Sequence, residues 1–292
     1  MPNKKRYLCF GGGNAMPKAV LSELKKHPVD ISVVSAMLDS GGSAGRLRRD
    51  YKVSSPGDIR RAFVELSNTT PEIKKLLNFR FSGGELDGHN FFNILLTGLE
   101  LSSKNYTKLL SEVSRLLDIP FDVLPATTDK SNLYAILENG YIVSGEANID
   151  VPAHDGNLKI KRVFLKPPAK AYGKTITAIR KADVILIGPG DLYSSLAQIF
   201  LVKGIPEAIK KSKAKKIYIC NLENKFGETN DYSVEDFASK IEEFIDCSLD
   251  YVIYDKKSSV KLINGGPKFI GANVSNNKIH NPKKLIKTIL KL

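Results

Sequence analysis

Residues 31–46, ISVVSAMLDSGGSAGR, run an apolar stretch straight into a glycine cluster. Residues 31–38 are β-branched and apolar without polar alternation, which predicts a strand covered on both faces, as in a parallel sheet. The same grammar recurs on either side. Residues 7–10 end in Gly11-Gly12-Gly13 and are followed by helical character over 17–26. Residues 183–187 end in Gly188-Pro189-Gly190 before a predicted helix over 191–202, and a further strand over 217–220 precedes a helix over 233–246. Strand, glycine turn and helix in repeated order predict an α/β fold on a parallel sheet.

Between the two halves, helices are predicted over 56–67, 89–101 and 106–117. In the first, Ser55 is the expected N-cap, Pro56 fits the first helical position, and Asp58 completes an approximate capping box. From 122 to 166 short β-type stretches at 123–126, 134–137, 141–143 and 158–165 are broken by Asn139-Gly140 and Asp155-Gly156. The Asn-Gly pair is a hairpin signal, so this segment reads as a small antiparallel insertion or sheet extension. The tail from Tyr251 adds one or two strands and a helix from Pro282. Neither a linker nor a repeat is evident, and residues 1–292 read as a single domain.

Composition is that of a globular protein: 292 residues, 42% hydrophobic and 26% charged. No apolar run approaches the roughly 20 residues a membrane-spanning helix needs, and the start reads as a first strand instead of a signal peptide. Cys9, Cys220 and Cys247 are scattered, with Cys9 and Cys220 in apolar runs, so they read as core residues of a cytoplasmic protein. Formal charge is +13, from 44 Lys+Arg against 31 Asp+Glu, which suits an anionic partner. Basic and aromatic residues are not interleaved, so nucleic acid is not the expected one.

Ligands of open parallel sheets bind beyond the carboxyl ends of the strands. Four segments fall there: Gly11, Gly12, Gly13 and Asn14; Asp39, Ser40, Gly41, Gly42, Ser43 and on to Arg46; Gly188, Gly190 and Asp191; and residues 221–229, beginning at Asn221. Glycines let backbone N–H groups approach and cradle a phosphate at a helix N-terminus. In the second loop the arginines at 46, 48 and 49 supply guanidinium groups, and Asp39 facing a diphosphate suffices for Mg²⁺. Arg60 or Arg61 reaches toward the same place. His89 opens an apolar helix with Asn90 and Asn93 nearby, whereas His27, His154 and His280 have no partner within motif distance.

The ordered set Gly11-Gly12-Gly13, Asp39 to Arg48, Pro56-Gly57-Asp58-Ile59-Arg60, Gly88-His89 with Asn93, residues 123–127, Gly188-Pro189-Gly190-Asp191-Leu192-Tyr193-Ser194-Ser195 and Gly227-Glu228-Thr229 resembles the gluconeogenesis-factor (YvcK-like) family. That family is a branch of the superfamily of the 2-phospho-L-lactate transferase CofD. The resemblance implies a Rossmann-like three-layer core, and it adds Asp58 and Tyr193 to the ligand-facing set. It implies a nucleotide or UDP-sugar binder that regulates carbon metabolism and cell-envelope growth. The alternative it implies is a Mg²⁺-dependent phospholactate transferase, with Asp39 and His89 as catalytic candidates and Asp39 as metal ligand. A homodimer is left open.

Four departures from the family pattern stand out. Ser40 replaces a second aspartate, Ala15 and Phe92 replace glycines, Glu223-Asn224-Lys225 replaces a methionine-threonine-glutamine run, and Asp191 stands where serine is common. A carboxylate at 191 would repel phosphate. The diphosphate is therefore expected at the first two glycine loops, cradled by Gly12, Gly13, Gly41, Gly42 and Ser43 and neutralised by Arg46 and Arg60.

Overall fold

The structure, a computed structural model, describes residues 4–103 and 105–292. Seven parallel strands form the central sheet. In chain order they are β1 (Arg6–Phe10), β2 (Asp30–Ser35), β3 (Asp122–Pro125), β7 (Val184–Ile187), β8 (Lys215–Ile219), β9 (Tyr251–Asp255) and β10 (Phe269–Ala272). Across the sheet the order is β10-β9-β8-β7-β1-β2-β3. The chain thus builds outward from β1 to one edge and then returns to add β7 on β1's other side, with Phe10 level with both Val34 and Ile187.

Helices cover both faces. Because side chains alternate along a strand, Tyr7 and Cys9 join one buried cluster with the helices Pro17–Leu21, Gly57–Leu66, Phe91–Ser102, Tyr106–Leu116 and Pro282–Ile289. Leu8 and Phe10 join the opposite cluster with Gly173–Lys181, Leu192–Ala197, Ile205–Lys211 and Val234–Ile245. This double burial explains why the strands read as unbroken apolar runs. Cys9 and Cys220 lie buried in these layers as free thiols.

The segment 122–166 divides between two sheets. β3 pairs parallel with β2, Val123 beside Val33, and so belongs to the edge of the main sheet. A separate antiparallel sheet follows, β4 (Asn132–Leu137) between β5 (Ile142–Ser144) and β6 (Ile160–Lys166). Asn139-Gly140 turns β4 into β5, as the sequence implies, with Gly140 at φ +87°. Asp155-Gly156 joins no hairpin; a short helix, Glu146–Asp150, lies between β5 and β6 and leans toward the main sheet's loops. Helices at Pro71–Asn78, Gly173–Lys181 and Ile205–Lys211 were not predicted. Among the described residues no helix is long and apolar enough to cross a membrane.

Candidate functional site

Parallel strands put every strand-exit loop on one rim, and the exits of β2, β1, β7 and β8 enclose a cavity of about 720 Å³. It sits where the strand order reverses, between β1 and β7. Of the sequence-predicted residues, Gly12, Gly13, Asn14, Asp39, Gly41, Gly42, Ser43, Asp58, Arg60, Asn93, Gly190, Asp191 and Asn221 line it.

The others stand behind the wall. Gly11 packs on the Met16 side chain, where a Cβ would come within 2.7 Å. Ser40 donates its N–H to Glu146 Oε2 (3.1 Å) and accepts from the Ala147 N–H at 2.9 Å, tying the loop to the short insertion helix. Arg46 donates to the Asp87 carbonyl (2.6 Å), and Arg48 bonds Leu38 O and the Asn132 side chain. Arg49 pairs with Asp50 on the surface. Gly188 makes the turn out of β7, donating to Phe10 O at 2.9 Å. The Tyr193 hydroxyl meets that of Tyr232 at 2.8 Å, away from the cavity. His89 Nδ1 is 3.3 Å from Ser43 Oγ, which also accepts from the Asn90 N–H and Asn93 Nδ2. The imidazole is the remaining acceptor for the hydroxyl proton, so His89 orients Ser43 from behind. Burial, followed by the Arg46 charge, holds its pKa below the ordinary value.

Ser55 does not cap the helix Gly57–Leu66; Pro56 is its N-cap and makes no side-chain bond. Asp58 turns away to a longer-range partner, accepting from the Gly13 N–H at 2.8 Å and pairing with Arg61 at 2.5 Å. That use of the Gly13 amide removes it from the expected phosphate cradle. Asp58 also explains Gly12: a Cβ there would fall 1.9 Å from Asp58 Oδ2. Likewise a Cβ on Gly57 would fall 2.3 Å from Asp39 Oδ2. The two glycines are the space in which the carboxylates sit. Burial first, and then each other's charge and that of Glu146, push Asp39 well above the usual carboxylate range; burial also raises Asp58 against the pull of Arg61. Glu146 rises to about 7, chiefly from burial. A divalent cation held by Asp39 and Asp58 would relieve this repulsion, and the donor set, carboxylates open to a cavity, suits Mg²⁺.

A second acidic group, Asp150, Asp191 and Glu228, also brings its oxygens together, but a cation is already built in. Lys225 Nζ contacts Asp150, lies 2.8 Å from Asp191 and 3.2 Å from Glu228. Burial alone would lower the lysine's pKa; Glu228, Asp191 and Asp150 together raise it. Two departures from the family pattern, Asp191 and Lys225, are therefore partners of each other. Glu228 in turn accepts the N–H groups of Tyr193 (2.9 Å) and Ser194 (3.1 Å), occupying the start of the helix Leu192–Ala197. An anion has no free helix end there. The helix Gly42–Tyr51 differs, since its N-cap, Gly41, makes no side-chain cap bond.

Among the described residues, twelve buried side-chain polar atoms have no hydrogen-bond partner, and six belong to this cavity's wall: Arg60 Nε, Asn93 Oδ1, Ser195 Oγ, Gln198 Oε1, Asn221 Oδ1 and His280 Nε2. An unmade bond costs about 1–3 kcal/mol per buried group, so such a concentration marks a place that a polar ligand completes. Both Arg60 and Arg61 line the cavity, where the sequence left open which of them would reach it. Sequence reasoning missed Ser195, Gln198 and His280 as site residues, as well as Arg80, Glu146 and Lys225; Ser195 stood within the quoted motif, and Lys225 and Asp191 carried a signal as opposite charges that depart from the pattern together.

The profile of the family described as 2-phospho-L-lactate transferase CofD matches residues 8–273. The chain belongs to the CofD family. Within that family it is similar to a gluconeogenesis factor of Halalkalibacterium halodurans, 42% identical over 240 residues that cover 82% of this chain and 73% of that protein. The gluconeogenesis factor of Bacillus subtilis is 38% identical over 249 residues, covering 85% and 77%. A crystal structure of a UPF0052 family protein from Bacillus halodurans superimposes with a TM-score of 0.92 at 35% identity, over 99% of this chain and 100% of that one. The CofD-family match ends at residue 273, short of the hairpin that carries His280 into the cavity.

Proposed function

We propose that this protein binds a nucleoside diphosphate, or a UDP-sugar of which that is part, in the cavity over the β1–β7 switch point, and that it acts as a regulatory factor of the kind its relatives' names describe. The observation that carries the reading is that half of the twelve unpaired buried side-chain polar atoms among the described residues line this one cavity. The diphosphate lies at the exits of β1 and β2, against Gly12 and the uncapped start of the helix Gly42–Tyr51. Arg60, with Arg61 and Arg80 beside it, meets the charge. Asp39 and Asp58 would hold Mg²⁺, which would supply positive charge against the phosphates. A cytoplasmic setting and a role in cell-envelope growth belong to the same reading.

The transferase description of the family supports a second reading, in which Asp39 would hold a metal that supplies charge stabilisation to a nucleotide-linked substrate. The Asp39–Asp58 arrangement favours it as far as the metal is concerned. In that reading His89 serves through Ser43, since it does not reach the cavity.

Thermal-shift titration with UDP, UDP-sugars and GDP, with and without Mg²⁺, tests the proposal. A ligand at 100 times its Kd stabilises the folded state by about 2.7 kcal/mol, so a clear rise in Tm that is larger with Mg²⁺ is expected. No rise with any of them contradicts it. Arg60→Ala is expected to weaken binding by about 1.5–3 kcal/mol, the range for a hydrogen bond to a charged group. Arg46→Ala, whose guanidinium is held by the Asp87 carbonyl outside the cavity wall, is expected to weaken it less. Calorimetry of the two variants side by side checks the order.

A further inference from the structure

Part of the cavity's wall is made by a piece of chain beyond the family match. Strands Ser275–Asn276 and Ile279–His280 form a two-residue antiparallel ladder, and Lys278, Ile279 and His280 from this hairpin line the cavity. His280 is 9% exposed, yet its Nε2 has no partner. Burial lowers the ring's pKa to about 4 and the Cys220 backbone at the end of β8 pulls against it, so near pH 7 the imidazole is neutral, with one nitrogen donating and one accepting. The residue after Cys220 is Asn221, whose buried Oδ1 also lines the cavity and also lacks a partner. Two buried polar atoms, one of them an amide oxygen, therefore line the cavity near the β8 exit without a hydrogen-bond partner.

Their place in the sheet says what end of a ligand they meet. β8 lies two positions from β1, with β7 between. At roughly 4.8 Å per strand that is about 10 Å, the reach from a phosphate to the nucleoside it carries. Ile279 beside them is 71% exposed and offers an apolar surface that a heterocycle or sugar would cover.

We infer that His280 and Asn221 form a subsite that hydrogen-bonds N–H or O–H groups at the nucleoside end of the ligand, and so discriminates a nucleotide from a bare diphosphate. The inference rests on the nucleotide-binding reading above and deepens it. A ribose diol and a base N–H edge supply the same donor chemistry.

Calorimetry on the full chain with Mg²⁺ separates the cases, using UDP, GDP, their 2′,3′-dideoxy forms and inorganic pyrophosphate as probes. His280→Phe is expected to weaken the better-bound nucleoside diphosphate about tenfold or more, the effect of stranding a donor, and to leave pyrophosphate within twofold of wild type. Asn221→Leu, a substitution of similar volume, is expected to show the same selective loss and keeps the test open should His280→Phe fold poorly. If the ribose supplies the donors, wild type binds the dideoxy form as weakly as His280→Phe binds the parent; if the base does, wild type binds both forms alike and only the variants lose affinity. Unchanged nucleotide affinity in both variants overturns the subsite while leaving the phosphate site standing, as does an equal loss for pyrophosphate. Wild type that binds none of the probes overturns the nucleotide reading, and the subsite with it.

Discussion

Lys225→Gln is expected to destabilise the protein by about 3 kcal/mol, the lower end of the range for breaking a buried ion pair. The ammonium is the common partner of Asp150, Asp191 and Glu228, and the Glu228 side chain has no exposure through which to recover hydration. Removing it strands three carboxylates whose oxygens lie within 4.8 Å of one another. The value is taken low because Asp150 and Asp191 are 37% and 42% exposed and regain water. Adding Asp191→Ser, which returns both positions to the family pattern, removes one of the stranded charges. Coupled residues show non-additivity of about 0.5–3 kcal/mol, so the double variant is expected to be more stable than Lys225→Gln alone. Urea unfolding of wild type, both single variants and the double closes the cycle. Strict additivity would show that the two departures are unrelated.

The second large effect concerns pH. Glu146, held at about 7 against an ordinary 4.5, keeps a proton in the folded protein that the unfolded chain has already released. Where the folded state binds more protons, stability falls as pH rises. For Glu146 that fall starts near the unfolded pKa of 4.5 and ends near 7, and amounts to roughly 3 kcal/mol. His280 acts in the opposite sense. Burial lowers it to about 4, so the unfolded chain alone is protonated below its ordinary 6.5, and stability falls as pH drops through that window. The two contributions overlap in wild type and largely cancel. A difference measurement separates them: relative to wild type, Glu146→Gln is expected to gain roughly 3 kcal/mol between pH 4.5 and pH 7.5. Denaturant unfolding of both proteins at the two pH values reads this directly, and a pH-independent difference would contradict the burial assigned to Glu146.

What the sequence disclosed follows from how far apart the interacting residues lie along the chain. β1, β2 and β7 announced themselves because burial on both faces leaves a local mark, an apolar run ending in glycine. So did the convergence of residues 12–14, 39 and 41–43 on one cavity, since parallel strands allow only one rim for their exits. β3 was harder to place. Four residues of β character beside a hairpin signal look like part of the hairpin, and only pairing with β2, some 90 positions away, shows otherwise. Asp58 reads locally as half of a capping box, but the Gly13 amide, 45 positions earlier, takes its carboxylate instead. The Arg46 and Arg48 guanidinium groups looked like phosphate ligands from their neighbours, and the backbone carbonyls of Asp87 and Ser131, in distant segments, hold them. His280 carries no local signal at all, because what makes it notable is a missing partner at the end of β8. The shared lesson is that strand exits are predictable from sequence, whereas the choice among several polar side chains at those exits depends on contacts that no local pattern encodes.

A crystal structure of the full chain with UDP and Mg²⁺ would bear most directly on the central claim. The account predicts phosphate oxygens within hydrogen-bond distance of the Gly12, Gly42 and Ser43 amides, Mg²⁺ on Asp39, and Lys225 still among its three carboxylates. Phosphates found at the start of the helix Leu192–Ala197, or outside the cavity, would contradict it.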